Sequence, residues 1–138
     1  MRVIARYHGS CHCQTVRFHV DLEDIDTART CNCSFCRMRG VIAVSAPLEG
    51  LIFLEGEDNL SLYQFNTHTA RHYFCKTCGI HTHYQRRSNP LQLAVNVACI
   101  ESLNPFEVGD VPVSEGVQHP GDGDGRPRQA GTWRFIPA

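Results

Sequence analysis

Arg29-Thr30-Cys31-Asn32-Cys33-Ser34-Phe35-Cys36-Arg37-Met38-Arg39-Gly40 sets three cysteines within six residues, and that crowding decides how the chain is read. Cys11-x-Cys13 precedes it and Cys75-x-x-Cys78 follows it, so seven of the eight cysteines fall into three clusters. In C-x-x-C the intervening turn brings both sulfurs to one side and aims backbone N–H groups at them, which steadies thiolate charge. In C-x-C on a strand, alternate residues share a face and two thiolates grip one ion. Seven ligands divide into four and three. Four thiolates close a tetrahedral zinc site, whereas three leave a position for water or substrate. Two zinc ions are therefore expected, the second held more weakly, and the spacings alone leave open which clusters share an ion.

Two rival readings of the cysteines fail on chemistry. A disulfide framework needs an oxidising compartment, yet the chain opens Met1-Arg2-Val3-Ile4-Ala5-Arg6 without the long apolar stretch and cleavage site of a secretory leader. Close neighbours such as Cys11 and Cys13 also make poor disulfide partners. An iron–sulfur cluster would call for ferredoxin spacings that these runs lack. The expected setting is cytoplasmic.

With 138 residues the chain is read as one domain, 1–138, large enough for a core and small enough to gain from a structural metal. Thirteen Lys and Arg face fourteen Asp and Glu, so no global field attracts nucleic acid or an anionic membrane. The longest apolar runs, Gly40 to Val44 and Leu51 to Leu54, are too short to span a bilayer.

Strand periodicity dominates. Val16, Phe18 and Val20 alternate with Arg17 and His19, Leu60 and Leu62 with Ser61 and Tyr63, and Leu91 through Val97 with Gln92 through Ala98. Val41 to Ser45, Leu51 to Leu54, Ala70 to Phe74 and Ile80 to Tyr84 are shorter candidates. One helical turn is expected from Ser34 to about Arg39, with Ser34 as N-cap and Gly40 as stop. The core is placed at about residues 5–103. From Asn104 to about 130 the chain reads as a flexible loop, and His119 to Pro127 has the Gly, Asp and Pro content of a solvated one rather than a calcium loop. Thr132 to Phe135 reads as an edge strand, with Trp133 as a core anchor.

Tyr7-His8-Gly9-Ser10-Cys11-His12-Cys13, the stretch Arg29 to Gly40, and Phe74-Cys75-Lys76-Thr77-Cys78-Gly79 together resemble the glutathione-dependent formaldehyde-activating enzyme (Gfa) family, which includes centromere protein V. Order, local sequence and all three spacings match over roughly residues 5 to 100. The resemblance implies a mostly β, Mss4-like fold of antiparallel sheets around the metals. It implies a structural zinc at Cys11, Cys13, Cys75 and Cys78, and a second zinc at Cys31, Cys33 and Cys36 with a free position. It also implies a carbon–sulfur lyase chemistry that joins glutathione to formaldehyde as S-hydroxymethylglutathione.

A metal in a three-thiolate site lowers the pKa of a bound thiol and polarises an aldehyde oxygen. A small thiol or thiol–aldehyde adduct, glutathione among them, would be the partner, and its carboxylates would need cations. Arg37 and Arg39 beside the three-cysteine cluster, and Arg86 and Arg87 beyond the Cys75 knuckle, are the candidates, each with the ordinary alternative of a solvated surface arginine. His81 is a candidate base or fourth ligand, or else a strand residue packed by its ring. His12 should point away from the metal, and Cys99 reads as a small buried hydrophobe. A second class of function, a non-catalytic zinc module closed by a ligand such as His81, stands beside the enzyme.

Overall fold

The computed structural model describes residues 5–22, 28–87, 89–117 and 128–138. Eleven strands and one short helix make up its regular structure: β1 (Ala5–Ser10), β2 (Arg17–Leu22), β3 (Thr30–Cys31), α1 (Ser34–Arg39), β4 (Ala43–Pro47), β5 (Leu51–Glu55), β6 (Leu60–Tyr63), β7 (Arg71–Cys75), β8 (His81–Gln85), β9 (Gln92–Asn96), β10 (Val111–Ser114) and β11 (Gln129–Trp133). They form three sheets, ordered β1-β2-β5, β4-β9-β8-β7-β6 and β11-β10-β3. All pairings are antiparallel except β3 with β10.

The alternation in β2 explains the core. Phe18, Val20 and Leu22 are at most 1% exposed, while Arg17, His19 and Asp21 on the other face meet water or partners such as Arg6. The buried face joins one apolar cluster with Val44, Ala46 and Val95 of the five-stranded sheet and Val97 just beyond β9. Each such side chain contributes roughly 1.5–3 kcal/mol by leaving water. Cys99 belongs to this cluster at 6% exposure, as its isolation in sequence implied.

Several local expectations need correction. The N-cap of α1 is Cys33, not Ser34: the Cys33 sulfur accepts the Cys36 N–H, so a cysteine of the cluster also starts the helix. Gly40 does end it, at φ 65°, where its N–H bonds to the Cys36 carbonyl. The strand drawn from Leu91 to Ala98 stops at Asn96, whose side chain turns back to accept the Ala98 N–H. The segment after Asn104 packs in part: Val111 is 2% exposed, and β10 lies between β3 and β11. Trp133 lies on the edge strand β11 but is 55% exposed, so it anchors no core. The run His119 to Pro127 lies outside the described residues.

Candidate metal centres and the face beside them

Two groups of cysteines come together among the described residues, each with its sulfurs within 4.8 Å of one another. The first is Cys11, Cys13, Cys75 and Cys78. Cys11 and Cys13 occupy the turn between β1 and β2, closed by Gln14 at φ 64°, and Cys75 and Cys78 occupy the β7–β8 turn, where the Gly79 N–H bonds to the Cys75 carbonyl at 2.9 Å. Sulfurs of Cys11 and Cys13 lie 3.6 Å apart, and those of Cys13 and Cys75 3.7 Å. Donors converge on them: the N–H groups of Val16 and Thr77 reach Cys11 and Cys75 at 3.4 Å, and so does Asn59 Nδ2 to Cys75. Cys11 and Cys75 are buried, and burial pushes the Cys11 thiol up to about 11.

The second group is Cys31, Cys33 and Cys36. β3 delivers Cys31, Cys33 caps α1 and Cys36 sits in its first turn. Cys33 N–H points at the Cys31 sulfur at 3.4 Å and Cys36 N–H at the Cys33 sulfur at 3.3 Å. Hydrogen bonds from the Cys31 and Cys36 thiols hold Cys33 well below the usual thiol range, while Cys31 is pushed upward by sharing with Cys33 and Cys36 and by burial. Among the described residues no further His, Cys, Asp or Glu joins this group. All eight cysteines are free thiols.

Of the four candidate arginines, Arg39 alone touches a ligand sulfur in the described contacts, with Nη2 3.2 Å from Cys36. Its guanidinium stacks 4.2 Å from the Tyr84 ring centroid and 5.3 Å from that of Phe35. Its Nη1 lies 2.7 Å from Nε2 of His81, and because a guanidinium only donates, that ring nitrogen accepts. Arg37, on the same helix, is exposed. Arg86 donates to Ser45 Oγ at 3.0 Å, and the Nε atoms of Arg39 and Arg86 are buried without a partner. Arg87 follows, half-buried, with interactions of its own.

Sheet register explains why these cations meet one surface. Tyr63, His72, Tyr84, Ala94 and Ser45 are successive cross-strand partners over β6, β7, β8, β9 and β4, so they line one face. Phe35 of α1 lies on that face, stacked 5.3 Å from Tyr63 and tilted 4.4 Å from His72. His81 is buried with its ring engaged by Arg39 and by His72 Nδ1 at 3.3 Å, and it lies outside the three-sulfur group. Burial and then the Arg39 charge hold His81 at about 2 and His72 at about 4. His12 is exposed and in neither group. Two cavities, of about 320 Å³ beside Tyr73 and His83 and about 560 Å³ beside Cys11 and Cys99, are not lined by Cys31, Cys33 or Cys36.

Phe35, His72, Tyr84, Asn32 and Gly116 are the residues that sequence reasoning missed. Phe35 and Asn32 carried a local signal, since each lies between two cysteines of the three-cysteine run.

A family model described as glutathione-dependent formaldehyde-activating enzyme matches residues 6–110. The crystal structure of a Rhodobacter sphaeroides protein superposes with a TM-score of 0.75 at 53% identity, covering 77% of this chain and 98% of that one.

Proposed function

Because the chain belongs to the glutathione-dependent formaldehyde-activating enzyme family, whose fold is Mss4-like and mostly β, we propose that it is a zinc-dependent carbon–sulfur lyase acting on a thiol–aldehyde adduct such as S-hydroxymethylglutathione. One observation carries this reading. Three sulfurs meet without a fourth ligand group among the described residues, beside a half-buried arginine whose Nε lacks a partner.

The donor set fits zinc. Zinc–sulfur bonds of about 2.3 Å put tetrahedral sulfurs roughly 3.8 Å apart, close to the 3.6 and 3.7 Å seen in the four-cysteine group. Cys11, Cys13, Cys75 and Cys78 would hold a structural ion, and Cys31, Cys33 and Cys36 a second, weaker one. Zinc at the second site supplies Lewis acidity, keeping a thiol sulfur ionised at neutral pH and polarising an aldehyde oxygen.

The chain's own residues do the rest. Arg39 places a fixed positive charge beside Cys36, where a substrate carboxylate or a developing alkoxide gains a charge-assisted hydrogen bond. Arg86, at the far side of the same sheet face, is the second cation of this reading, while Arg37 and Arg87 are peripheral to it. Phe35 and Tyr84 keep water from the Arg39 stem and strengthen its field. His81 stays neutral against Arg39 and positions the guanidinium. Free thiols in two clusters suit a reducing, cytoplasmic setting, and among the described residues no helix is long and apolar enough to cross a membrane.

Metal analysis combined with cobalt substitution tests the reading. Two ions per chain are expected, one leaving early under mild chelation, with a ligand-field spectrum that shifts when glutathione is added. A response to other small thiols alone removes glutathione. Indifference to every thiol, with His81 found in the fourth position, leaves a non-catalytic zinc module.

A further inference from the structure

The chain after β10 runs across the three-cysteine group. β10 pairs in parallel with β3, Val113 with Thr30 and Ser114 with Cys31. Asn32, between two ligand cysteines, ties the following residues down. Its N–H donates to the Ser114 carbonyl at 3.2 Å, and its Oδ1 accepts the N–H groups of Gly116 at 2.7 Å and Val117 at 3.3 Å. Its Nδ2 donates to Glu115 Oε2 at 3.4 Å, and Glu115 Oε1 in turn accepts the Val117 N–H at 3.0 Å. Asn32 thus ties residues 114–117 to the cluster through backbone and side chain, while the Glu115 N–H also donates to the Arg128 carbonyl at 2.8 Å.

Gly116 is where the segment presses closest. A Cβ at this position would lie 2.4 Å from the Cys31 sulfur and 2.8 Å from Cys33 Cβ, so the requirement for glycine is one of space. On the other side Arg39 covers the Cys36 sulfur. The group is therefore bracketed, by a cation on the helix side and by bare backbone on the strand side. The matched family region ends at residue 110, so this second wall lies beyond it.

We propose that residues 114–117 form a strap that sets which thiols reach the three-cysteine site, with Gly116 and Asn32 as its specificity-determining residues. The strap admits a slender primary thiol, whose sulfur is carried on a methylene, and holds off tertiary or bulky aryl thiols on the Cys31 side. This rests on the reading that the site takes a thiol substrate, but the strap itself can be tested without the second ion or turnover.

Alkylation of Cys31 after mild chelation, which takes the weaker ion and leaves the four-cysteine group loaded and the domain folded, followed by peptide mass spectrometry, reads strap closure directly. Iodoacetamide serves as the slender probe and a polyethylene-glycol maleimide as the bulky one. The bulky probe should lag at Cys31 in the unaltered chain. Asn32→Ala should raise its rate relative to iodoacetamide by about tenfold, the loss of one or two closing hydrogen bonds. Gly116→Ala, which keeps Asn32, should raise it as well by lifting the strap. Gly131→Ala, with nothing within 4 Å of its added methyl, should change nothing. Equal rates of both probes at Cys31 in the unaltered chain, each taken relative to its rate on free cysteine, or a relative ratio that neither strap variant moves, overturns the proposal. A moved ratio without any thiol response in the cobalt-loaded protein discards the substrate reading and keeps the strap; a thiol response with an unmoved ratio does the reverse.

Discussion

Cys13 and Cys75 are 62 positions apart in the chain, whereas Cys31, Cys33 and Cys36 lie within six residues. The first group draws its sulfurs from two different sheets, one ligand pair following β1 and the other following β7, so an ion there would pin the two sheets together. The second gathers on one short strand and one helical turn, and an ion there would constrain little that the helix has not already fixed. Identical ligand chemistry thus has opposite consequences. Where ligands are distant in sequence, metal affinity becomes folding energy; where they are local, it is free to serve binding.

The largest effect should come from breaking that contrast at the distant group. Cys75→Ser or Cys78→Ser forfeits structural metal binding, worth on the order of 10 kcal/mol, and should unfold the domain. Cys31→Ser or Cys36→Ser should leave it folded. Thermal unfolding of the four variants ranks them, and the reverse order would mean that the structural and open groups are exchanged. A second comparison uses glycines. Gly9 on β1 approaches Phe18, and a Cβ there would lie 2.5 Å from its ring and 2.8 Å from the Cys99 carbonyl. Gly9→Ala should cost about 3 kcal/mol by overpacking beside the distant group, a loss that denaturant titration will read, whereas Gly131→Ala should cost a few tenths.

The same contrast explains what was legible in the sequence. The three cysteine clusters were readable because chelate spacing is local, whereas the pairing of Cys11 and Cys13 with Cys75 and Cys78 came only from the family resemblance; β2 or β6 were readable because their apolar faces repeat every second residue. β1 was not: Arg6, His8 and Ser10 leave only Ala5, Tyr7 and Gly9 for the inner face, and Gly9 has no side chain to announce itself. β10 carries Pro112 and earns its place through a parallel partner some eighty residues earlier, a contact no window contains. His72 and Tyr84 acquire meaning only through cross-strand register, which sets them on the face that α1 covers. Long-range pairing, not composition, hid the sheet face under α1 and the segment 114–117.

At the local group the two arginines on α1 sharpen the comparison between ligand and surface. Arg39 bonds to the Cys36 sulfur and stacks on Tyr84, whereas Arg37 is exposed. Arg39→Ala should weaken the cobalt-monitored response to glutathione by ten- to thirtyfold, the usual range for a charge-assisted hydrogen bond of about 1.5–2 kcal/mol. Arg37→Ala should weaken it less than threefold, as screened surface charges do. Equal losses would place the substrate carboxylate outside the sheet face.

The smallest effect divides the molecule by pH. His72, against Arg39, and His83, packed between Phe53 and Tyr73, sit on opposite faces of the five-stranded sheet. Burial holds both at about 4, with the Arg39 charge as a second cause for His72 alone. Since these folded values lie below the unfolded value of about 6.5, the unfolded chain binds more protons between pH 6.5 and 4. Stability is therefore complete above pH 6.5 and falls as the pH drops through that window, by about 1.4 kcal/mol per histidine at pH 5.5. His83→Gln should flatten the acid limb of urea unfolding by one such increment, measured relative to the same variant at pH 7.5. Arg39→Ala should also flatten it, by less, because it relieves His72 and His81 only in part and leaves His83 as it was. A variant pair that shifts the limb equally would show that one shared charge, and not separate burial on the two faces, governs both rings.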